Sequence, residues 1–423
     1  MTKATAMRPP KPSDTRDTDS RIVTLPPRML PVTKAPRDPR IDFFRGVALM
    51  MILINHMPVN PYEVLTTRNF GFSDAAEAFF VMSGIAAGIA YSPAIVRWLD
   101  GVGRLRDAVM PLWGRAWQLY MVQMLLTVLV LALFAWATTA FLNPKFSEMH
   151  NLVTFYADPL AAFTGIPILS FQIGYVNILP TYIVLMLLAP LALIGGIRWP
   201  MATLAASIAL WWVGGAYRLN IPNYPGNGEW FLSPLSWQLI FVVGLLVGIR
   251  HRRGERLVPA SRPLFYAALG YLLFALAWRE IPALASFMNN KMAQLSSLGA
   301  PYQFTSHNKA FLTFPRVSHM LALVYVLSCP QIIRDIAGHA IAAPLRLMGQ
   351  YSLAVFAFGT LFALSGQIVF RVAPEATWLP WVIPPVAALA SWLVAWVKSQ
   401  LKPQRPAPQA QPATQANPLR NAG

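Results

Sequence analysis

The sequence predicts an all-α, polytopic integral membrane protein with about ten transmembrane helices and both termini in the cytoplasm. Three observations lead there. The chain is 56% hydrophobic and only 12% charged, about half the charged fraction of a soluble protein of similar size. Its mean hydropathy is +0.46. Its apolar runs, such as Met121–Leu133, Val184–Ile194 and Leu239–Ile249, are continuous. Membrane helices require such continuity, whereas strands of a membrane barrel would alternate.

The elements follow in order. The first 40 residues are rich in Pro, Lys, Arg and Asp and precede any apolar segment. They predict a disordered, basic cytoplasmic tail, since a signal peptide would place its apolar core directly after a short basic start. Apolar windows then place helices at roughly 42–61, 74–92, 112–140, 178–196, 201–217, 234–250, 263–280, 311–329, 347–370 and 377–397. The stretches near 155–172 and 283–300 are apolar but broken by Gly, Pro and polar residues, which suits interfacial or re-entrant elements. A single transmembrane domain is therefore expected over 41–400. The remainder, 401–423, is biased to Pro, Gln and Ala, the composition of a second disordered tail.

Orientation comes from the basic residues. With the N-terminus inside, twenty-five of the 34 Lys and Arg fall on the cytoplasmic side, eight on the other, and Arg45 within a span. That asymmetry is the positive-inside pattern. The net charge of +17 is then a topology signal, and it excludes nucleic acid as a partner because no basic face belongs to a soluble fold. Cys329 is the only cysteine, so no intramolecular disulfide forms and no thiol cluster binds metal. No set of His, Cys and carboxylates has zinc spacing, and no phosphate loop or dinucleotide fingerprint is present. An inverted repeat of the transporter kind is also missing.

Arg45 and His56 stand out against this background. Both fall in the first apolar segment, where an ionisable side chain costs about 2.5–3.5 kcal/mol on insertion scales. Eleven helical steps return to nearly the same face, about 16 Å further along. A cation near one end and an imidazole deeper in, on one stripe, suit a long anionic ligand held at its head and reacted at its tail. Asp42, three residues before Arg45, can pair with it or share its ligand. Alone, Arg45 also reads as a snorkelling interface residue, and His56 as an interhelical hydrogen bond. The second helix favours a site. Asp74 and Glu77 open it, and Glu77 reaches about the depth of His56, where it can orient the imidazole, with Asp74 as its substitute. The same helix carries Gly84-x-x-x-Gly88, a pattern that lets two helix backbones approach closely, with Ser83 beside it in a packing role.

These residues resemble a known family. IDFFRGVALMMILINH followed by EAFFVMSG is similar to the acyltransferase-3 type of integral membrane acyltransferases. A closer resemblance, to the OpgC family, rests on RDPRIDFFRG (37–46), TRNFGFSDAAEAFFVMSG (67–84), PTYIVLMLLAP (180–190), SPLSWQLIFVVG (233–244), PRVSHMLAL (315–323) and GQYSLAVFAFG (349–359). Where the family leads one to expect an Asp-Lys-Thr-Asn-Leu-like string, this chain reads SHNKAFLTFPR. Lys309 and Arg316 are kept, and Ser306 or His307 stands where the acidic partner is expected.

The resemblance implies a multi-pass inner-membrane O-acyltransferase. It would move an acyl group, succinyl or acetyl, from cytoplasmic acyl-CoA to hydroxyls of osmoregulated periplasmic glucans. Acyl-CoA is then a donor substrate, with no permanently bound cofactor. The partners are the glucan, the bilayer and, as a further candidate, the glucan synthase machinery. Arg45, with Arg115 and Asp42, would hold the coenzyme phosphates. A phosphopantetheine arm is comparable in length to the Arg45–His56 spacing. His56 would act as general base, with Glu77 or Asp74 orienting it. Lys309, Arg316, His319 and Gln238 would bind the acyl carboxylate or glucan. Arg316 and His319 also read as an interfacial cation and an interhelical bond. The rival from another class is a proton-coupled secondary transporter of an organic anion using Arg45, His56 and Glu77. A third reading is a non-catalytic partner of a glycan synthase.

Overall fold

The computed structural model describes residues 38–401. The two expected tails otherwise lie outside the described residues. Among these, regular structure is helical apart from one isolated β-bridge between Pro222 and Glu229. Thirteen principal helices run as follows: α1 Pro39–Asn55, α2 Ala75–Leu99, α3 Leu105–Ala140, α4 Ile178–Arg198, α5 Pro200–Ala216, α6 Pro234–Arg252, α7 Arg262–Glu280, α8 Pro282–Ser297, α9 Phe314–Ser328, α10 Gln331–Gly338, α11 Ala343–Gln350, α12 Ser352–Val372 and α13 Leu379–Gln400.

All ten expected segments are helical, yet ten crossings do not follow. Among the described residues six helices, α2, α3, α4, α6, α12 and α13, are long and apolar enough to cross a membrane. The pairs α7–α8, bent by 101°, and α9–α10, bent by 80°, raise the number to eight if each is one span. α1 and α5 have 17 residues each, the lower limit for about 30 Å of hydrocarbon. α1 also carries Arg40, Asp42 and Arg45. The broken stretch expected near 283–300 is α8, the second limb of a bent pair.

The centre of the bundle is the α2–α6 pair. Of their most apolar windows, 67% and 72% of residues are buried, against 22% for α13. The peripheral α13 presents Trp381, Val386 and Leu389 outward, the composition of a lipid-facing helix. Small residues fix the central crossing. A Cβ on Gly84 would overlap the Phe241 carbonyl, and one on Gly88 the Leu245 carbonyl. Reciprocally, Gly244 and Gly248 of α6 lie against the carbonyls of Val81 and Ile85. The expected close approach at Gly84-x-x-x-Gly88 is therefore met by a matching pair of glycines on α6.

α1 packs against α2, α11 and α12. It starts at Asp38, whose side chain accepts from the Arg40 amide, with Pro39 at the first helical position. It ends where the Asn60 side-chain amide donates to the carbonyls of Ile54 (2.9 Å) and Met57 (2.5 Å), satisfying groups the helix end leaves open.

Candidate functional site

Capping places His56 at the C-terminal end of α1, where its amide donates to the Ile52 carbonyl at 3.0 Å. Its ring lies 4.5 Å from that of Tyr175, centroid to centroid. The imidazole opens on a cavity of about 610 Å³ whose polar lining includes Asn55, Arg68, Asp74, Lys309 and Arg316. Gln367 of α12 crosslinks the region. Its Nε2 donates to the His56 carbonyl at 2.5 Å, and its Oε1 lies 2.8 Å from His150 Nε2. His150 (φ 56°) and Tyr175 (φ 67°) both hold left-handed backbones, tied by a hydrogen bond from the Gly174 amide to the His150 carbonyl. Such strain persists only where its surroundings enforce it. Burial pushes the His150 imidazole down to about 4, against the Gln367 bond, so the ring is neutral at neutral pH.

One wall of this cavity is an ion network built on the start of α2. Asp74 caps the helix, accepting from the Ala76 amide, while Glu77 Oε2 accepts from the Asp74 amide at 3.0 Å. This is a reciprocal capping box. Lys309 Nζ reaches Asp74 Oδ2 at 2.6 Å. Arg316 donates to Glu77 Oε1 through Nε (2.6 Å) and to Asp74 Oδ2 through Nη2 (3.3 Å). The acidic partner that the string around Lys309 lacks is thus supplied by Asp74 from another helix.

Arg45 opens elsewhere, on a cavity of about 660 Å³ lined also by Asp42, Arg115, Gln118, Arg252 and Lys398. Its Nη2 donates to Ser352 Oγ at 2.5 Å, and Arg115 Nη1 donates to Gln118 Oε1 at 2.6 Å. Arg45, Asp42 and Arg115, the three residues expected to act together on a coenzyme, are together here. Ser83 lines the same cavity.

Four expectations need correcting. First, Arg45 and His56 do not share one cavity, and among the described residues none lines both of theirs. Phe79 of α2 touches the lining of each: its ring lies 5.7 Å from Tyr182, in the wall of the Arg45 cavity, and 6.4 Å from Phe356, in the wall of the His56 cavity. Helical spacing gives a common stripe but cannot reveal what a neighbouring helix inserts across it. Second, Glu77 does not orient His56, because its oxygens are taken by Arg316 and the Asp74 amide. Third, His319 lies behind the cavity wall. Its Nδ1 is 2.7 Å from Ser73 Oγ, and its ring backs Gly71 and Phe72. Fourth, Gln238 joins α6 to α5, accepting from Ser207 Oγ at 2.6 Å and donating to the Ser207 carbonyl at 2.8 Å. Its neighbour Trp237 acts on the cavity indirectly, donating from Nε1 to the Lys309 carbonyl.

Several lining residues carry no sequence signal of their own. Arg68, Asn55, Tyr175 and Arg279 sit in loops or at helix ends yet converge on the His56 cavity. His150 and His251, which fall between apolar segments, are respectively 5.1 Å from Tyr175, ring to ring, and in the lining of the Arg45 cavity. Among the described residues no group of three or more His, Cys, Asp or Glu could hold a metal ion.

Fold and site together define a helical membrane protein with two distinct cavities, each lined by more cations than carboxylates. The chain belongs to the OpgC family: the family model described as OpgC protein matches residues 37–403. No curated protein and no solved structure matches it.

Proposed function

We propose that the protein is a multi-pass inner-membrane O-acyltransferase that carries an acyl group, succinyl by preference, from acyl-CoA to hydroxyls of osmoregulated periplasmic glucans. Membership of the OpgC family supports this reading. The observation that carries it is the placement of Arg45 and His56 in two cavities of similar size along one helix. Acyl-CoA binds in the Arg45 cavity from the cytoplasm. Arg45, Arg115, Arg252 and Lys398 face two carboxylates there, Asp38 and Asp42, a balance suited to phosphates. The glucan enters the His56 cavity from the periplasm. There Arg68, Arg279, Lys309 and Arg316 line the wall with Asp74; Lys309 and Arg316 are held by Asp74 and Glu77, which leaves Arg68 and Arg279 as the cations suited to a succinyl carboxylate.

The pantetheine arm reaches His56 when Phe79 swings out of the layer formed with Tyr182 and Phe356. His56 then takes the proton of a sugar hydroxyl as its oxygen attacks the thioester carbonyl. The C–S bond breaks, an ester remains on the glucan, and the proton leaves with the coenzyme thiol. General-base assistance of this kind contributes about 10²–10⁴-fold. Asp74 and Lys309 line the same cavity as the imidazole. Glu77 holds Arg316 in place and takes no part in proton transfer.

The test is transfer of label from acyl-CoA to a glucan by purified protein, with His56→Ala abolishing it while the fold survives. The closed aromatic layer also suits alternating access, so an organic-anion transporter remains the second reading. Uptake into vesicles with no ester formed would favour it. Co-purification with a synthase and indifference to His56 replacement would favour the non-catalytic partner.

A further inference from the structure

His56 faces a second, much smaller pocket on its other side. About 10 Å³ in volume, it is lined by His56, Thr360 of α12 and Ser391 of α13, with Leu49, Leu53 and Val355 among its apolar walls. In each of the three polar residues a side-chain atom is buried without a hydrogen-bond partner among the described residues: His56 Nδ1, Thr360 Oγ1 and Ser391 Oγ. Thr360 is 2% exposed and Ser391 is fully buried. Hydroxyls inside apolar helices ordinarily bond back to a carbonyl of the preceding turn, as Ser365 does to Leu361. Thr360 and Ser391 do not. A buried polar atom left unpaired costs about 1–3 kcal/mol, and three around one pocket form a pattern rather than a scatter.

The volume matches roughly one water-sized sphere, and a buried water needs 2–4 polar partners. We infer that the pocket binds one water molecule, which accepts from His56 Nδ1–H and donates to Thr360 Oγ1 and Ser391 Oγ. His56 is the one polar residue that lines both this pocket and the large cavity. With Nδ1 bonded into the small pocket, Nε2 is left unprotonated toward the large one, which is the tautomer a base needs. Thr360 and Ser391 are then positioning residues that act through water, in the place where a carboxylate was expected.

The inference rests on His56 as the general base, so its test separates the two. In the acyl-transfer assay, Thr360→Val combined with Ser391→Ala should lower kcat about 10–100-fold with KM for acyl-CoA unchanged. Thr360→Ser, which keeps the hydroxyl, should retain activity. Full kcat in the double variant, with His56→Ala inactive, overturns the positioning role and leaves the base in place. An active His56→Ala overturns the base itself. An experimental density map that resolves waters decides the site independently of activity. A peak within hydrogen-bond distance of all three atoms is expected, and a dry pocket, or His56 bonded directly to either hydroxyl, overturns it.

Discussion

Arg316 holds Glu77 inside the bundle, its Nε 2.6 Å from a carboxylate oxygen of a residue with no exposed surface. The carboxylate is fully buried, while Arg316 is partly exposed at the cavity wall, and among the described residues Glu77 is held by Arg316 and by the Asp74 amide. Breaking such a pair from one side strands a buried charge, at about 3–5 kcal/mol. Arg316→Ala should therefore lower the thermal unfolding midpoint in detergent sharply. Adding Glu77→Gln should recover part of the loss, because the stranded carboxylate is gone. A single variant that melts like the parent would refute this assignment.

Phe79 touches one aromatic residue in the lining of each cavity, Tyr182 and Phe356, and its removal tests whether it separates them. Phe79→Ala should open the passage, so that water in the His56 cavity replaces the sugar as nucleophile. Release of coenzyme thiol from acyl-CoA without glucan should then rise several-fold over the parent. Combining it with His56→Ala should remove the increase. Thiol release that stays at the parental level would mean that the aromatic layer is not the barrier.

The α2–α6 crossing leaves no room at its glycines. Gly84→Ala or Gly244→Ala places a methyl into a facing backbone carbonyl, an overpacking that costs about 1–3 kcal/mol. Each variant should melt earlier than the parent. Gly270→Ala, where a Cβ meets nothing within 4 Å, should not.

Much of this was legible in the chain, and what was not had physical causes. Continuous apolar runs located all ten helical segments, because burial in lipid demands a run whatever its neighbours do. Length was a poorer guide to crossings, since α1 and α5 are short and two pairs bend. Gly84 and Gly88 announced a close approach but not its partner, as Gly244 and Gly248 lie about 160 residues away. Asp74-x-x-Glu77 also carries a capping-box spacing, a local signal that explains the pair without reference to His56. The set Arg45, Asp42 and Arg115 converges because two of its members share one helix stripe. His150 and Tyr175 reach the site through left-handed loop residues, and no periodicity marks those.

His150 also gives a pH dependence with a definite sign. Its folded value of about 4 lies below its ordinary 6.5 because burial disfavours the charged ring. The unfolded chain binds a proton first as pH falls, so the stability present above 6.5 is lost progressively down to about 4. The unfolding midpoint of the parent should fall across that window. His150→Gln should flatten the fall, and an equally steep dependence in that variant would exclude His150 as its source.

The division of labour between the two ends of α1 is tested most directly by steady-state transfer of label from acyl-CoA to glucan in Arg45→Ala and His56→Ala proteins that still fold. Arg45→Ala should raise KM for acyl-CoA with kcat largely kept, while His56→Ala should lower kcat by about 10²–10⁴-fold with that KM kept. Ester formation at the parental kcat in His56→Ala, or a KM for acyl-CoA indifferent to Arg45, would contradict it.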